Sequence, residues 1–107
     1  MKILIKGTKL DLTPPLKEYI ELKFRGLEKF LKRYDDKGSA ILRIEIARSS
    51  RHHKKGEVYY AEANLDIPHG TIRAEGYHSD ARLAISEAKK ILEGEIKKHK
   101  SKWDAKR

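Results

Sequence analysis

The chain has 107 residues and no cysteine, and its 25 Lys and Arg outnumber 16 Asp and Glu, for a net charge of +9 at pH 7. The length is common for one domain, and the missing cysteine excludes disulfides, thiol nucleophiles and thiolate metal sites. The charge calls for a polyanion; no apolar run is long enough to span a bilayer and residues 1–6 lack the core of a signal peptide, so the sequence reads as a soluble, cytoplasmic nucleic-acid binder.

Lys2 to Lys6 reads as a short strand, with Gly7, Thr8 and Lys9 turning the chain toward a helix. Thr13 suits the N-cap and Pro14 the first helical position, where a missing N–H costs nothing. Leu16, Ile20, Phe24, Leu27, Leu31 and Tyr34 then recur at helical spacing and predict one continuous amphipathic helix, ended by Asp35, Asp36, Lys37, Gly38 and Ser39. From Ala40 the period changes to two: Leu42, Ile44 and Ile46 alternate with Arg43 and Glu45 as a half-buried strand. Arg48 to Gly56 reads as a basic loop, with Arg51, Lys54 and Lys55 as secondary RNA-binding candidates.

Tyr59, Ala61, Ala63, Leu65 and Ile67 form one face of a third strand, Pro68-His69-Gly70 a turn, and Ile72, Ala74 and Gly76 begin a fourth. Ser79 and Asp80 suit a helix start, after which Ala81, Ile85, Ala88, Leu92, Ile96 and His99 define a stripe that Trp103 continues, in a helix expected to fray near its end. The order is β-α-β-β-β-α. One apolar face per strand and one stripe per helix predict an α+β two-layer sandwich, a four-stranded sheet with both helices on the same face. The helical crossover permits parallel pairing of the first two strands, and the short later turns require antiparallel neighbours. Residues 1–107 read as a single domain with a basic tail from about 100.

The basic residues divide by helix. On the first, Arg25, Lys29 and Lys32 fall opposite the apolar stripe, diluted by Glu18, Glu21 and Glu28, which also fits an ordinary solvated face. Lys23 falls inside the apolar arc near Tyr19 and Leu27, so its ammonium has to snorkel to an edge. On the last helix Lys90 and Lys97 point outward, Lys98 lies on the flank, and Lys100, Lys102, Lys106 and Arg107 follow. Cations at a helix C-terminus complement its dipole, which explains part of this cluster but not the tail beyond it.

The histidines lack metal-ligand spacing, since His52 and His53 are adjacent and His69, His78 and His99 stand apart. With no nucleophile elbow, phosphate loop or dinucleotide fingerprint, the chain reads as a binding module and not an enzyme. Tyr60 and Tyr77 fall on the sheet face away from the helices; without an aromatic RNA-binding run they read as ordinary strand residues. Trp103 reads as the cap of its helix's apolar stripe.

The opening Ile3-x-Ile5-x-Gly7, the run Thr13-x-x-Leu16-x-Glu18-Tyr19 with Lys23-Phe24-x-x-Leu27-Glu28, and Asp80-x-x-x-Ala84-Ile85 with Lys98-His99-Lys100 extend over nearly the whole chain. Together they resemble the ribosome hibernation-promoting factor family, which includes ribosome-associated inhibitor A, also called protein Y. The resemblance implies a fold akin to double-stranded-RNA-binding domains. It implies the small ribosomal subunit and its rRNA as partners, occupancy of the decoding channel across the tRNA and mRNA paths, and silencing of idle ribosomes under stress or in stationary phase. No cofactor, metal or small-molecule substrate is implied, and the free protein is expected to be a monomeric short form.

Lys23, Lys98 and Lys100 match the family's basic pattern. Gly26, Ile91 and Gly94 stand where relatives often carry a basic residue, with Arg25, Lys90 and Lys97 as neighbours. Glycine inside a helix costs about 1 kcal/mol relative to alanine, so close packing or approach is expected at Gly26 and Gly94. The three departures motivate an alternative, a general RNA-binding or protein-interaction domain of the same fold that does not enter the decoding channel.

Overall fold

The structure is a computed structural model that describes residues 1–34, 38–49 and 58–105. Its elements are β1 (Lys2–Thr8), α1 (Pro14–Arg25), α2 (Glu28–Leu31), β2 (Ile41–Ser49), β3 (Val58–Ile67), β4 (Gly70–His78) and α3 (Ala81–Ala105). The strands lie side by side in chain order, β1 parallel to β2 and the remaining neighbours antiparallel. Period-two alternation sends Leu42, Ile44 and Ile46 of β2, Ala61, Ala63 and Leu65 of β3, and Ile72 and Ala74 of β4 to one face. There they join Ile20, Phe24, Leu27, Ile85, Leu92 and Ile96 in a single core. Each large apolar side chain in it contributes roughly 1.5–3 kcal/mol by burial.

The helix starts follow the sequence signals. The Thr13 hydroxyl accepts from the Leu16 N–H at 3.4 Å with Pro14 at the first helical position, and the Asp80 carboxylate accepts from the Arg82 N–H at 2.8 Å. The first helix is not continuous. After Arg25 the chain tightens, Leu27 N–H donating to the Phe24 carbonyl and Phe30 N–H to Leu27, three residues back instead of four, both at 3.0 Å. Gly26, a poor helix former, sits at this break, and the stripe stays buried through Leu27, Leu31 and Tyr34.

Three other boundaries differ from the sequence expectation. β1 includes Gly7 and Thr8, which pair with Ile46 and Ala47, so the turn begins only at Lys9, whose φ is 59°. β2 runs to Ser49, which places Arg48 in a strand; Ser50 to Glu57, with Arg51, Lys54 and Lys55, lie outside the described residues, as do Asp35, Asp36, Lys37, Lys106 and Arg107. α3 continues past Trp103 to Ala105. Its end is held by aromatic packing: Trp103 lies 4.8 Å from Tyr34 and 4.7 Å from His69 between ring centroids, and the Tyr34 hydroxyl donates to Asp104 at 2.6 Å.

The close backbone approach is at Gly76, not at the helical glycines. A Cβ there would meet the Ala84 carbonyl oxygen at 2.4 Å and the Ala88 nitrogen at 2.9 Å, so α3 rests directly on β4. Around it Ala61 pairs with Gly76 and Ala63 with Ala74 across β3 and β4, a floor of small residues beneath Ala84 and Ala88. A Cβ at Gly94 would have nothing within 4 Å, and one at Gly26 would touch only the Lys23 carbonyl at 3.8 Å. Neither glycine is required by packing. Gly76→Ala is therefore expected to destabilise the protein by about 1–3 kcal/mol, and Gly94→Ala to stabilise it by up to about 1 kcal/mol. Urea midpoints should rank Gly94→Ala above wild type and wild type above Gly76→Ala; the reverse order would contradict this packing.

Candidate nucleic-acid interface

α1 and α2 run alongside α3, and the seam between them is aromatic on one side and largely cationic on the other. Tyr19 of α1 reaches across, its hydroxyl 2.8 Å from the Ser86 hydroxyl. Its ring has two cations against it, the Arg82 guanidinium at 5.1 Å and the Lys23 ammonium at 5.6 Å from the centroid. Farther along, the Phe30 ring has Lys97 at 5.1 Å, Lys29 at 5.2 Å and Lys100 at 5.9 Å, and Lys100 also lies 5.7 Å from Tyr34. A ring face attracts a cation, by roughly 0.5–1 kcal/mol at an exposed site, without cancelling its charge. The seam thus positions its cations while leaving most of their charge available.

Arg82, Ser86, Lys89, Glu93, Lys97 and Lys100 follow one another at intervals of three or four, the spacing of a single helical stripe. Glu93 is the acid in that stripe. It receives Lys89 at 2.9 Å and Lys97 at 3.3 Å. The hydrogen bond from Lys89, aided by Lys97, holds the Glu93 carboxyl below its ordinary value against the opposing effect of partial burial.

Of the residues singled out in the sequence, the structure brings Lys23, Lys29, Lys97 and Lys100 to this seam. Lys90 is exposed on α3. Lys98 and Lys102 continue the helical row of Glu87, Ile91 and Glu95; Glu87 accepts from the Tyr77 N–H at 3.3 Å, which places that row over the β4 edge, away from the seam. Arg25 faces the start of β1, donating to the Met1 carbonyl at 2.7 Å and pairing with Glu21 at 2.6 Å and Glu28 at 3.4 Å. Lys32 borders a shallow hollow on that same side with Met1 and Glu28. Arg82 and Lys89 were missed, although the three-four spacing that ends in Lys97 and Lys100 leads straight back to them.

The opposite sheet face has another character. Glu45, Glu62 and Glu75 stand directly across from one another on β2, β3 and β4. Arg73 pairs with Glu75 at 2.7 Å and Glu62 at 3.3 Å, Tyr60 donates to Glu62 at 2.8 Å, and Tyr60 and Tyr77 pack 4.9 Å apart. Carboxylates on this surface oppose a phosphate backbone, so the tyrosines fit the reading as strand residues. Among the described residues no group of three His, Asp or Glu could hold a metal ion, and no helix is long and apolar enough to cross a membrane.

With the fold in place, the sequence matches over residues 3–104 the family described as sigma 54 modulation protein / S30EA ribosomal protein. The chain belongs to this family. Proteins similar to this family member include the ribosome hibernation promotion factor of Deinococcus radiodurans, 27% identical over 92% of this chain, and that of Bacillus subtilis, 29% identical over 95%. The chain spans about half the length of both, 49% and 50%. It spans 89% of the ribosome hibernation promoting factor of Pseudomonas putida, at 28% identity over 95% of this chain. The crystal structure of the Thermus thermophilus protein Y N-terminal domain superimposes with a TM-score of 0.71 at 25% identity, covering 92% of this chain and 99% of that one. A ribosomal subunit interface protein from Coxiella burnetii shares the fold at a TM-score of 0.68 and 22% identity, covering 94% of this chain and 99% of its own.

The sheet face supplies a titration test. Burial first, and then the hydrogen bond to Glu62, push the Tyr60 phenol up from 10.0 to about 12. A phenol whose folded pKa is raised adds stability below its unfolded value, and that contribution is lost as pH rises from 10.0 to about 12. Ultraviolet titration should show a late tyrosine that Glu62→Gln brings down toward 10.0. Tyrosines titrating together near 10.0 in the folded protein would contradict the arrangement.

Proposed function

We propose that the protein is a ribosome-associated hibernation factor that binds the small subunit through rRNA phosphates at the helix seam and obstructs the tRNA and mRNA paths of the decoding channel. The observation carrying this reading is the cationic seam of Lys23, Arg82, Lys97 and Lys100 in a chain whose family relatives are named for ribosome hibernation. The mechanism is steric and electrostatic. Phosphate contacts position the protein on RNA, and the bulk of the sandwich then excludes other ligands. On this reading 1–107 acts as one ribosome-binding domain in the cytoplasm, without catalytic chemistry or cofactor.

Bare backbone at Gly26 and Gly94 and a half-exposed Ile91 favour a second reading, a general RNA-binding or protein-interaction domain whose footprint differs from the decoding channel. Competition separates the two. Co-sedimentation with vacant small subunits near physiological salt should saturate near one copy per subunit and be displaced by tRNA and mRNA fragments. Weak, non-saturating binding equal to that on naked RNA would favour the second reading.

The seam itself is tested by neutralisation. If about five of its cations meet phosphates, affinity falls roughly several-hundred-fold between 50 and 200 mM salt. The pair Lys97→Gln with Lys100→Gln should flatten the log–log salt slope by roughly 1.5, while Lys98→Gln with Lys102→Gln on the far flank should change it less. Equal effects from both pairs would remove the seam as the binding surface.

A further inference from the structure

Glu93 is a carboxylate placed inside a surface otherwise suited to anions. It stands one turn from Lys89 and one turn from Lys97, and each ammonium meets a different oxygen, Oε1 at 2.9 Å and Oε2 at 3.3 Å. Two ammonium groups bracketing two oxygens of one anionic group is also how a pair of lysines holds the non-bridging oxygens of a phosphate. The neighbouring residue is Gly94, around whose missing Cβ there is open space, so the helix surface beside this carboxylate is bare to an approaching chain. The other cations on the aromatic rings of the seam, Lys23, Lys29, Arg82 and Lys100, have no carboxylate partner among the described residues.

We propose that Glu93 occupies the position of one ligand phosphate, tying Lys89 and Lys97 in the free protein and releasing both when a nucleic-acid backbone binds. The idea rests on the seam being the RNA-binding surface and adds one subsite to it, a single backbone phosphate held by Lys89 and Lys97 beside Gly94. The Glu93 side chain swings out as the phosphate enters, with no covalent step. Its consequence is selectivity. A polyanion meeting the seam only loosely has to compete with a carboxylate fixed on the same helix, whereas one that also engages Lys23, Arg82 and Lys100 displaces it. Glu93 is thus a specificity-determining residue that lowers affinity for generic polyanions.

The experiment compares variants on a short RNA duplex and on vacant small ribosomal subunits across a salt series. Glu93→Gln is expected to bind the duplex roughly two- to fivefold more tightly, the size of an exposed ion-pair effect. Its log–log salt slope should steepen by roughly 0.7–0.9, corresponding to one further effective phosphate contact. The tightening on subunits should be smaller, so discrimination between the two ligands declines. In a background of Lys89→Gln and Lys97→Gln, Glu93→Gln should change nothing. Unchanged or weaker duplex binding by Glu93→Gln overturns the proposal, as does a full-sized tightening that persists without the two lysines, because the carboxylate then acts by simple repulsion.

Lys23→Gln with Lys100→Gln, residues Glu93 does not touch, tests the underlying surface separately. If that pair weakens binding while Glu93→Gln has no effect, only the Glu93 subsite fails; if that pair binds like wild type, the seam reading fails and the subsite with it. Thermal melts monitored by circular dichroism establish that each variant is folded before its binding is read.

Discussion

The absence of a side chain at Gly76 sets the height of α3 above the sheet. With the Ala84 carbonyl 2.4 Å and the Ala88 nitrogen 2.9 Å from where a Cβ would stand, helix and strand meet backbone to backbone. The Ala61, Ala63 and Ala74 floor keeps neighbouring side chains from lifting the helix again. Packed interiors respond to a change of a single methylene, so this seat fixes α3 closely. The position of α3 in turn decides which of its residues face α1 and α2. Tyr19 can meet Ser86, and Phe30 can lie under Lys97 and Lys100, only at this height and rotation. The seam is a product of core packing before it is a product of charge.

Electrostatics then divides the molecule into unlike surfaces. On the seam, cations are held largely by aromatic rings, which attract them without adding negative charge. On the sheet face and around the start of β1, the arginines are matched by carboxylates: Arg73 by Glu62 and Glu75, Arg43 by Asp66, Arg25 by Glu21 and Glu28. Among the described residues the pairing of cations with carboxylates is therefore uneven, and what matters for a polyanion is the charge left uncompensated, as along the seam.

Much of the fold was legible in the sequence because its periods are clean. Alternation in β2 to β4 specified the buried face, and the Thr13-Pro14 and Asp80 signals located helix starts that the hydrogen bonds reproduce. The break at Gly26 was not legible, since the stripe from Leu16 to Tyr34 stays apolar across it and periodicity does not distinguish four-residue from three-residue hydrogen bonding. Glycine composition misled for a similar reason: Gly26 and Gly94 break helical preference visibly, whereas Gly76 looks ordinary in a strand until the helix above it is placed. For the site, outward-pointing lysines were readable from the wheel, but the wheel treats all outward directions alike. Which flank of α3 faces α1 depends on the docking of the two helices, and this separated Lys97 and Lys100 from Lys98 and Lys102.

The aromatic group at the end of α3 alters what kind of object the basic segment is. Trp103 packed on Tyr34 and His69, with Tyr34 bonded to Asp104, joins the last turns of the helix to the β3–β4 turn and to the segment after α2. A basic stretch that lacks packing partners is commonly a loose arm that becomes ordered only on its target, and side-chain and backbone freedom is then surrendered at association. Here, as far as Asp104, that freedom is lost at folding instead. If the proposed seam is the binding surface, Lys97 and Lys100 meet a polyanion as parts of a rigid template, whose charge spacing can discriminate between anionic shapes in a way that a flexible polycation cannot.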